Sequence, residues 1–209
     1  YILAHKDIKD ELMLELKTYI LEFFGPNPID NPDYPKIIDG KAFDRLYSLL
    51  LNQNIYFGGR VDRTSEKIEP TIVDGVDFSN KLMEEEIFGP IFPILVYDDL
   101  FVLINKLKTF DKPLAMYMFS EDESHIDRVM YDLSYGNGCV NDTIMQITST
   151  YLEFGGVGKS GMGGYHGKFG FMNFSNRKSI MDRATSVDIN LRYPPFAKGQ
   201  TSVIKLLEK

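Results

Sequence analysis

The sequence has one cysteine, no long apolar run and no excess of basic side chains. A single cysteine, Cys139, excludes a framework of internal disulfides and is typical of a reducing compartment. A helix that crosses a bilayer needs about 20 apolar residues, so we expect no transmembrane segment within the chain. The net charge of −7 disfavours nucleic acid as a partner, because phosphates attract basic surfaces. We therefore expect a cytoplasmic protein.

The chain also lacks an initiator methionine and a signal peptide, since it opens directly with the strand-like Tyr1-Ile2-Leu3-Ala4. We interpret this start as a truncation. What the sequence has in quantity is apolar material: 44% hydrophobic residues, including 15 Phe and 12 Tyr among 209 residues. A sizeable core can therefore be buried.

Strand-like runs alternate with apolar residues at helical spacing along most of the chain, which predicts an α/β fold with a mostly parallel sheet. We predict helix N-caps at Asp7, at Asp98 or Asp99, and in a capping box of Ser120 and Glu123. The predicted strands cover 1–4, 55–57, 67–73 (an edge or irregular strand, broken at Pro70), 91–97, 114–119, the start at 139, and one or two late strands in 169–181. The predicted helices begin after Asp7 (apolar side Ile8, Leu12, Leu16, Ile20, Phe23), span 43–51, 100–107 and 126–133, and end with a short terminal helix at Val203, Ile204, Leu206 and Leu207.

A glycine-rich stretch, Phe154 to Gly167, dominates the second half of the chain, and seven of its fourteen residues are glycine. Val157-Gly158-Lys159-Ser160 is similar to the end of a phosphate-binding P-loop, but Glu153 stands where that motif needs glycine. Gly156, Gly158 and Gly161 fit a dinucleotide fingerprint, which should follow a strand and open a helix. The flanking residues make a poor strand and a poor helix start. The residues alone favour a tightly packed turn, with a P-loop protein as a distant alternative.

A second motif, EEIFGP at Glu85–Pro90, lies about seventy residues before the glycine-rich stretch. The two together resemble the aldehyde dehydrogenase superfamily, in its class 3 or fatty aldehyde dehydrogenase branch. Further segments support this branch in the family's order: Asn31-Pro32-Asp33-Tyr34-Pro35, Lys112-Pro113-Leu114-Ala115, Val140-Asn141-Asp142 and Arg192-Tyr193-Pro194-Pro195.

The resemblance implies the C-terminal half of an NAD(P)-dependent enzyme that oxidises aldehydes, medium or long-chain or aromatic, to carboxylates. It implies part of a Rossmann-like catalytic domain in residues 1–171, a C-terminal strand for subunit assembly in 172–193 and a peripheral tail in 194–209. The complete protein would be a homodimer, cytoplasmic or membrane-associated.

The resemblance also assigns site residues. Glu86 would accept hydrogen bonds from the nicotinamide ribose of NAD or NADP, with one of the three acids at 84–86 turned inward, and Phe88 would pack beside the nicotinamide. Without the resemblance, a run of three acids more often forms a solvated surface. A single histidine such as His166 is more often a structural residue. The class 3 aldehyde entrance corresponds to Ile144, Ile147, Thr148, Phe154 and His166, and such an apolar passage selects hydrocarbon tails at ~0.8 kcal/mol per CH₂.

Cys139 is not expected to be the nucleophile. The family reaction proceeds through a cysteine thioester, and the family's cysteine lies a few residues before a strand that corresponds here to Tyr1-Ile2-Leu3. The nucleophile, the general-base glutamate and the oxyanion-hole asparagine would therefore lie upstream of Tyr1. No set of His, Cys and carboxylates has metal-ligand spacing. The main alternative is a non-catalytic split or pseudoenzyme chain that assembles with a partner.

Overall fold

The computed structural model of the chain describes residues 1–186, 188, 193–195 and 205. Strands and helices alternate through most of this span, as the sequence pattern predicts. The strands are β1 (Ile2–His5), β2 (Ile55–Phe57), β3 (Val61–Asp62), β4 (Lys67–Ile68), β5 (Thr71–Val73), β6 (Ile91–Tyr97), β7 (Ala115–Met118) and β8 (Asn137–Val140). The helices are α1 (Lys9–Phe24), α2 (Gly40–Leu50), α3 (Leu100–Leu107), α4 (Glu123–Asp132) and α5 (Gly167–Asn173), with short 3-10 turns between them.

The main sheet has four strands in the order β1-β6-β5-β2. β6 pairs in parallel with both neighbours, Ile2 lying opposite Ile94 and Thr71 opposite Ile91. β2 joins β5 in antiparallel orientation at the edge. The apolar run at 91–97 therefore forms an interior strand, and the predicted α/β fold with a mostly parallel sheet is confirmed.

Helices cover both faces of this sheet. Consecutive residues of a strand point to opposite faces, and in β5 the side chain of Val73 joins one core cluster while Ile72 joins the other. The α2 residues Phe43 and Leu46 pack in the first cluster. Met13 and Ile20 of α1 pack in the second cluster, so the two helices lie on opposite sides of the sheet.

Two smaller sheets complete the strand pairing. β3 and β4 form an antiparallel pair. β7 and β8 form a parallel pair in which Tyr117 lies opposite Cys139, with α4 as the connecting helix. α4 buries Ile126 and Val129, as its helical spacing predicts. The residues immediately beyond β8 carry the predicted aldehyde entrance.

Two of the three predicted helix N-caps are wrong, by one and two residues. Asp7 is not an N-cap, because α1 begins at Lys9 and the N-cap position is Ile8, which makes no side-chain capping bond. The predicted capping box also fails: Asp122 caps α4 by accepting from the amides of Ser124 and His125. Asp99 does cap α3 as predicted, since its carboxylate accepts from two amides of the first turn.

Some predicted surfaces and strands are wrong as well. In α1 the side chains of Ile8 and Phe23 are exposed, because the sheet is covered by Met13 and Ile20 instead. The stretch 67–73 is broken at Pro70 as predicted, but its second part, β5, is an interior strand rather than an edge. In both cases the tertiary packing decides what the local pattern leaves open.

The predicted late strand or pair of strands in 169–181 is also wrong. Residues 167–173 form helix α5, because His166 and Gly167 take positive φ angles of 86° and 48° and turn the chain into a helical path. Residues 174–186 carry no assigned strand. Positions 187 and 189–192, and the predicted terminal helix at Val203, Ile204, Leu206 and Leu207, lie outside the described residues.

Candidate active site

The EEIFGP motif forms a turn whose backbone is hydrogen-bonded to Arg45 of α2. The guanidinium of Arg45 donates to the carbonyl oxygen of Ile87 and, at 3.5 Å, to that of Glu86. It also forms an ion pair with the carboxylate of Glu85 at 2.9 Å. A planar guanidinium can make these bonds together because its N–H groups form a rigid fork. The backbone on either side of Glu86 is thus fixed to the core helix.

The bonds of Arg45 to this turn do not involve the side chains of the two predicted cofactor residues, Glu86 and Phe88. Glu86 is exposed, and within the described part of the chain its carboxylate has no ion pair or hydrogen bond. Phe88 is 83% exposed and has a φ of 52°, a left-handed conformation that bulky residues rarely adopt. The expectation that one of the three acids is turned inward is wrong in this chain, since Glu84, Glu85 and Glu86 are all exposed. Arg45 pairs with Glu85 and so leaves Glu86 available.

Three of the predicted entrance residues lie in one turn beyond β8. A 3-10 turn spans Met145–Ile147, with Ile144 at its N-cap position and Thr148 at its C-cap position. The side chains of Ile144 and Ile147 are 57% and 38% exposed. Ile144 has a φ of 67°, which is strained for a β-branched residue. The turn therefore presents apolar side chains outward from a constrained backbone.

The other two predicted entrance residues meet in an aromatic group on the glycine-rich stretch. The rings of Phe154 and His166 stack with centroids 6.0 Å apart, and Tyr165 meets the His166 ring edge-on at 4.7 Å. The backbones of Phe154 and Tyr165 exchange two hydrogen bonds of 3.0 and 2.9 Å, which close the stretch into a loop. Nδ1 of His166 is buried and has no hydrogen-bond partner within the described residues. A buried nitrogen of this kind is costly unless another group pairs with it.

Tight backbone packing explains the glycine content of this stretch. A Cβ on Gly155 would lie 2.1 Å from the carbonyl oxygen of Gly163, and one on Gly156 would lie 2.1 Å from that of Ser160. The carbonyl oxygen of Gly155 would in turn lie 2.3 Å from a Cβ on Gly136, the residue just before β8. The stretch therefore packs against the region where β7 and β8 begin. This close approach is what the residues alone predict for so many glycines.

Neither nucleotide motif of the stretch has the required surroundings. Phe154 takes part only in an isolated bridge, so no strand precedes the three glycines of the fingerprint. The expectation of a poor helix start is wrong, since α5 begins at Gly167, but the chain directly after Val157 forms only a 3-10 turn of three residues. Lys159 is bound to Asp111 at 2.8 Å, and this hydrogen bond raises the pKa of the lysine. A P-loop lysine would have to reach a phosphate instead.

A buried polar network connects the entrance turn to β7 and β8, and the sequence analysis missed it. Gln146, 7% exposed, accepts a hydrogen bond from Sγ of Cys139 at 2.9 Å and donates to Oδ1 of Asn137 at 2.8 Å. It also donates to the hydroxyl of Tyr117 at 3.2 Å. The only signal in the sequence is a polar residue between Met145 and Ile147. Cys139 is thus a bonded thiol facing an amide.

Two cavities within the described part of the chain have none of the predicted site residues in their walls. One, of about 830 Å³, opens beside β1, β6 and the starts of α3 and α4, and another, of about 220 Å³, lies between the glycine-rich stretch and α5. Neither is lined by the predicted cofactor or entrance residues. Within the described part of the chain, no three His, Cys, Asp or Glu side chains are grouped as a metal site requires. Among the same residues, no helix has the length and apolar character that crossing a membrane demands.

Known proteins with similar sequences cover this whole chain. The 4,4'-diaponeurosporen-aldehyde dehydrogenase of Staphylococcus aureus is 44% identical over 211 residues, which are 100% of this chain and 46% of that protein. Aldehyde dehydrogenase family 3 member A2 of Mus musculus is 41% identical, over 98% of this chain and 43% of its own length. The chain thus spans less than half the length of these relatives. The family 3 name of the Mus musculus relative confirms the similarity to the class 3 branch.

Solved structures and a family model agree with these relatives. The substrate-bound state of Staphylococcus aureus AldH superposes with a TM-score of 0.89 at 44% identity, over 100% of this chain and 46% of that one. A betaine aldehyde dehydrogenase of the same organism shares the fold at a TM-score of 0.76 and 24% identity, over 94% of this chain and 41% of its own. The model of the aldehyde dehydrogenase family matches residues 1–180. The chain therefore belongs to the aldehyde dehydrogenase family.

Proposed function

We propose that this chain supplies the C-terminal half of the active site of an NAD(P)-dependent aldehyde dehydrogenase. The observation that carries the proposal is the turn at Glu85–Pro90, whose backbone is bound to Arg45 while Glu86 and Phe88 remain free. A fixed turn with an unpaired carboxylate and an exposed ring is suited to bind a ligand that has hydroxyl groups and a flat ring. NAD or NADP has both and, when bound, supplies the hydride acceptor of the reaction.

The role of each residue follows from its chemistry. The carboxylate of Glu86 can accept two hydrogen bonds from neighbouring hydroxyl groups of a ribose. The ring of Phe88, 83% exposed in this chain, can pack against one side of the nicotinamide. Together they would hold the cofactor ring in one orientation, and neither residue exchanges a proton in the reaction.

The substrate side of the proposal rests on the apolar residues after β8. Ile144 and Ile147 are outward-facing, and Phe154 lies against His166 in the glycine-rich stretch. Burying a hydrocarbon tail against such side chains favours longer or aromatic aldehydes by ~0.8 kcal/mol per CH₂. These residues line neither of the two cavities described above, so the opposite wall of the passage would come from the upstream half of the enzyme. The unpaired Nδ1 of His166 supports the same arrangement.

The nucleophile and the general base would also come from that half. Cys139 is the only cysteine of this chain, and its thiol is hydrogen-bonded to Gln146. The complete enzyme would therefore bring a cysteine from outside the chain to the aldehyde carbon. The oxidised product would be the carboxylate.

Subunit assembly is proposed for residues 172–193. This segment and the end of α5 expose large apolar side chains, with Phe174 at 89%, Ile180 at 75% and Met181 at 90%. Several large apolar side chains exposed along one segment are typical of surfaces that another chain covers. A homodimer of the complete enzyme would cover them. Its location would be cytoplasmic, with membrane association as the other possibility.

The test compares the 209-residue chain with the complete polypeptide that contains it. Each is incubated with NAD⁺ or NADP⁺ and a medium-chain or long-chain aldehyde, and nicotinamide absorbance is followed. We expect turnover by the complete protein and none by the chain alone, because the nucleophile and base are missing from it. Turnover by the chain alone would refute the division of the active site. An inactive complete protein that still binds a partner would instead favour the non-catalytic alternative.

A further inference from the structure

The entrance turn combines an exposed outer side with one buried residue. Ile144 and Met145 are 57% and 54% exposed, and Ile147 is 38% exposed. Gln146, between them, is only 7% exposed. An uncharged amide is rarely buried unless its hydrogen-bonding groups are satisfied. Gln146 is therefore the residue through which this turn is attached to the rest of the protein.

The attachment uses one face of the β7–β8 sheet. Asn137 and Cys139 are two residues apart in β8 and so point to the same face. Tyr117 lies opposite Cys139 in the parallel pair. Gln146 bonds to all three side chains, at 2.8 Å to Asn137, 2.9 Å to Cys139 and 3.2 Å to Tyr117. The amide thus makes three hydrogen bonds in different directions, which fixes its place on this face.

Asn137 extends the network to the other group of predicted entrance residues. Its side-chain amide donates to the carbonyl oxygen of Leu114 at 3.0 Å and to that of Gly155 at 3.5 Å. Gly155 follows Phe154, which stacks on His166. The entrance turn and the aromatic group are therefore bound to the same asparagine from two sides.

The backbone before Gln146 needs such an attachment. Ile144 has a φ of 67°, and a β-branched residue is strained in this region, so the conformation persists only where its surroundings fix it. The hydrogen bond from the amide of Met145 to the carbonyl of Thr143, 2.7 Å, is local and can follow the turn if it moves. Gln146 is the first side chain after Ile144 that joins a distant part of the fold.

We propose that Gln146 is a positioning residue for aldehyde specificity. It holds Ile144 in its left-handed conformation and keeps Ile144 and Ile147 facing the substrate passage. It acts through the turn and does not touch the aldehyde. This role rests on the proposed function, because it assumes that the turn lines the entrance.

The kinetic test uses the complete enzyme and the variant Gln146→Met, which keeps the length of the side chain and removes its hydrogen bonds. We expect KM for a long-chain aldehyde to rise about tenfold. The values of kcat and of KM for NAD⁺ should stay within about twofold of wild type, because Gln146 contacts neither the cofactor turn nor the reacting atoms. KM for a short aldehyde should change much less, since a short chain does not reach the turn. The matched control is Gln53→Met, which breaks another part-buried amide pair, between Gln53 and Asn80, that has no bond to Asn137, Cys139 or Tyr117.

The second readout does not depend on activity. In the complete enzyme, mass spectrometry of the peptide that contains Cys139 measures how fast a disulfide reagent labels this thiol. This rate reports on the network because the thiol is hydrogen-bonded to Gln146. Gln146→Met should raise that rate several-fold, because the thiol loses its acceptor and the turn over it loosens. Gln146→Glu keeps an acceptor for the thiol but offers Asn137 no donor. It should raise KM for the long aldehyde without faster thiol labelling.

Each result supports or overturns the proposal. A wild-type enzyme without aldehyde oxidation refutes the proposed function, whereas an active wild type whose KM values Gln146→Met leaves unchanged refutes only the positioning role. Equal changes in KM for short and long aldehydes would make Gln146 a general structural residue and would also overturn it. If Gln146→Met does not fold, the KM values of Gln146→Glu for long and short aldehydes are compared with those of wild type instead. Loss of the fold in both variants counts against a positioning role.

Discussion

Arg45 donates a hydrogen bond from its guanidinium to the carbonyl oxygen of Ile87, and this bond fixes the turn between the two predicted cofactor residues. Arg45 also forms an ion pair with the carboxylate of Glu85, 2.9 Å away, and so occupies the acid next to Glu86. The same arginine thus holds the backbone and leaves the Glu86 carboxylate free. An ordinary surface ion pair would contribute little, but a charged donor on a backbone carbonyl inside a turn is stronger.

We expect Arg45→Ala to weaken cofactor binding in the complete enzyme. The turn loses its charge-assisted bonds, so Phe88 can leave its left-handed conformation and KM for NAD⁺ should rise about tenfold. Steady-state kinetics with varied NAD⁺ measures this. Arg63→Ala is the matched control, because Arg63 also pairs with a surface acid, Asp44, away from the turn. Equal effects of the two substitutions would show that Arg45 has no special role at the turn.

Glu86→Gln tests the cofactor contact directly. The amide keeps the shape of the side chain and loses the charge, and hydrogen bonds to a charged group contribute about 1.5–3 kcal/mol each. Cofactor affinity or the rate of hydride transfer should therefore fall while thermal stability is unchanged, since Glu86 is exposed. Glu85→Gln is the comparison and should act only through its pairing with Arg45. Unchanged kinetics of Glu86→Gln with both NAD⁺ and NADP⁺ would show that Glu86 is a solvated surface acid with no part in cofactor binding.

The sequence predicts the order of strands and helices well, because the buried side of each element repeats its apolar residues with the period of a strand or of a helix. The runs at 91–97 and 55–57 correspond to β6 and β2, and the helical spacing after residue 40 corresponds to α2. The helix N-caps are predicted less well, because several acids and hydroxyls compete near each start. Asp122 caps α4 in place of Ser120, since its carboxylate reaches two amides at once.

The site is predicted only in part for a different reason. The resemblance indicates Glu86 and Phe88 because both stand within one short motif, whereas the hydrogen bond from Arg45 to Ile87 joins residues forty-two positions apart. Gln146 likewise looks like one polar residue in an apolar run until β7 and β8 bring Tyr117 and Asn137 beside it. Contacts across the fold of this kind have no local pattern.

Tyr34→Phe tests a buried hydrogen bond that ties a loop to the core. The hydroxyl of Tyr34 donates to the carbonyl oxygen of Ile68 at 2.6 Å, and burial, with the nearby Glu69, raises the pKa of the phenol. Removing it leaves a buried carbonyl unpaired, so the free energy of unfolding should fall by about 1–2 kcal/mol in urea titrations. An unchanged midpoint would mean that water replaces the hydroxyl.

The same variant should change the response to alkaline pH. An unfolded tyrosine loses its proton near pKa ~10, whereas the native phenol of Tyr34 keeps it, because its pKa is raised. Above about pH 10 the unfolded state therefore binds fewer protons, and stability falls as pH rises. The stability difference between wild type and Tyr34→Phe should be constant at neutral pH and shrink above that value. A difference that grows with pH would contradict the direction of the shift.

Cys139→Ala tests whether the only cysteine of the chain is a nucleophile. Its thiol lies in strand β8 and donates a hydrogen bond to Oε1 of Gln146 at 2.9 Å. We expect the complete enzyme to keep most of its kcat, with a loss of stability of about 0.5–1.5 kcal/mol for one hydrogen bond. Gln146 retains its bonds to Asn137 and Tyr117, so KM for long aldehydes should shift less than in Gln146→Met. Replacing the cysteine expected just before Tyr1 should instead abolish the acyl-enzyme, which mass spectrometry detects as a covalent adduct. If Cys139→Ala abolishes that adduct while circular dichroism shows an intact fold, the nucleophile lies in this chain and the proposed division of the active site is wrong.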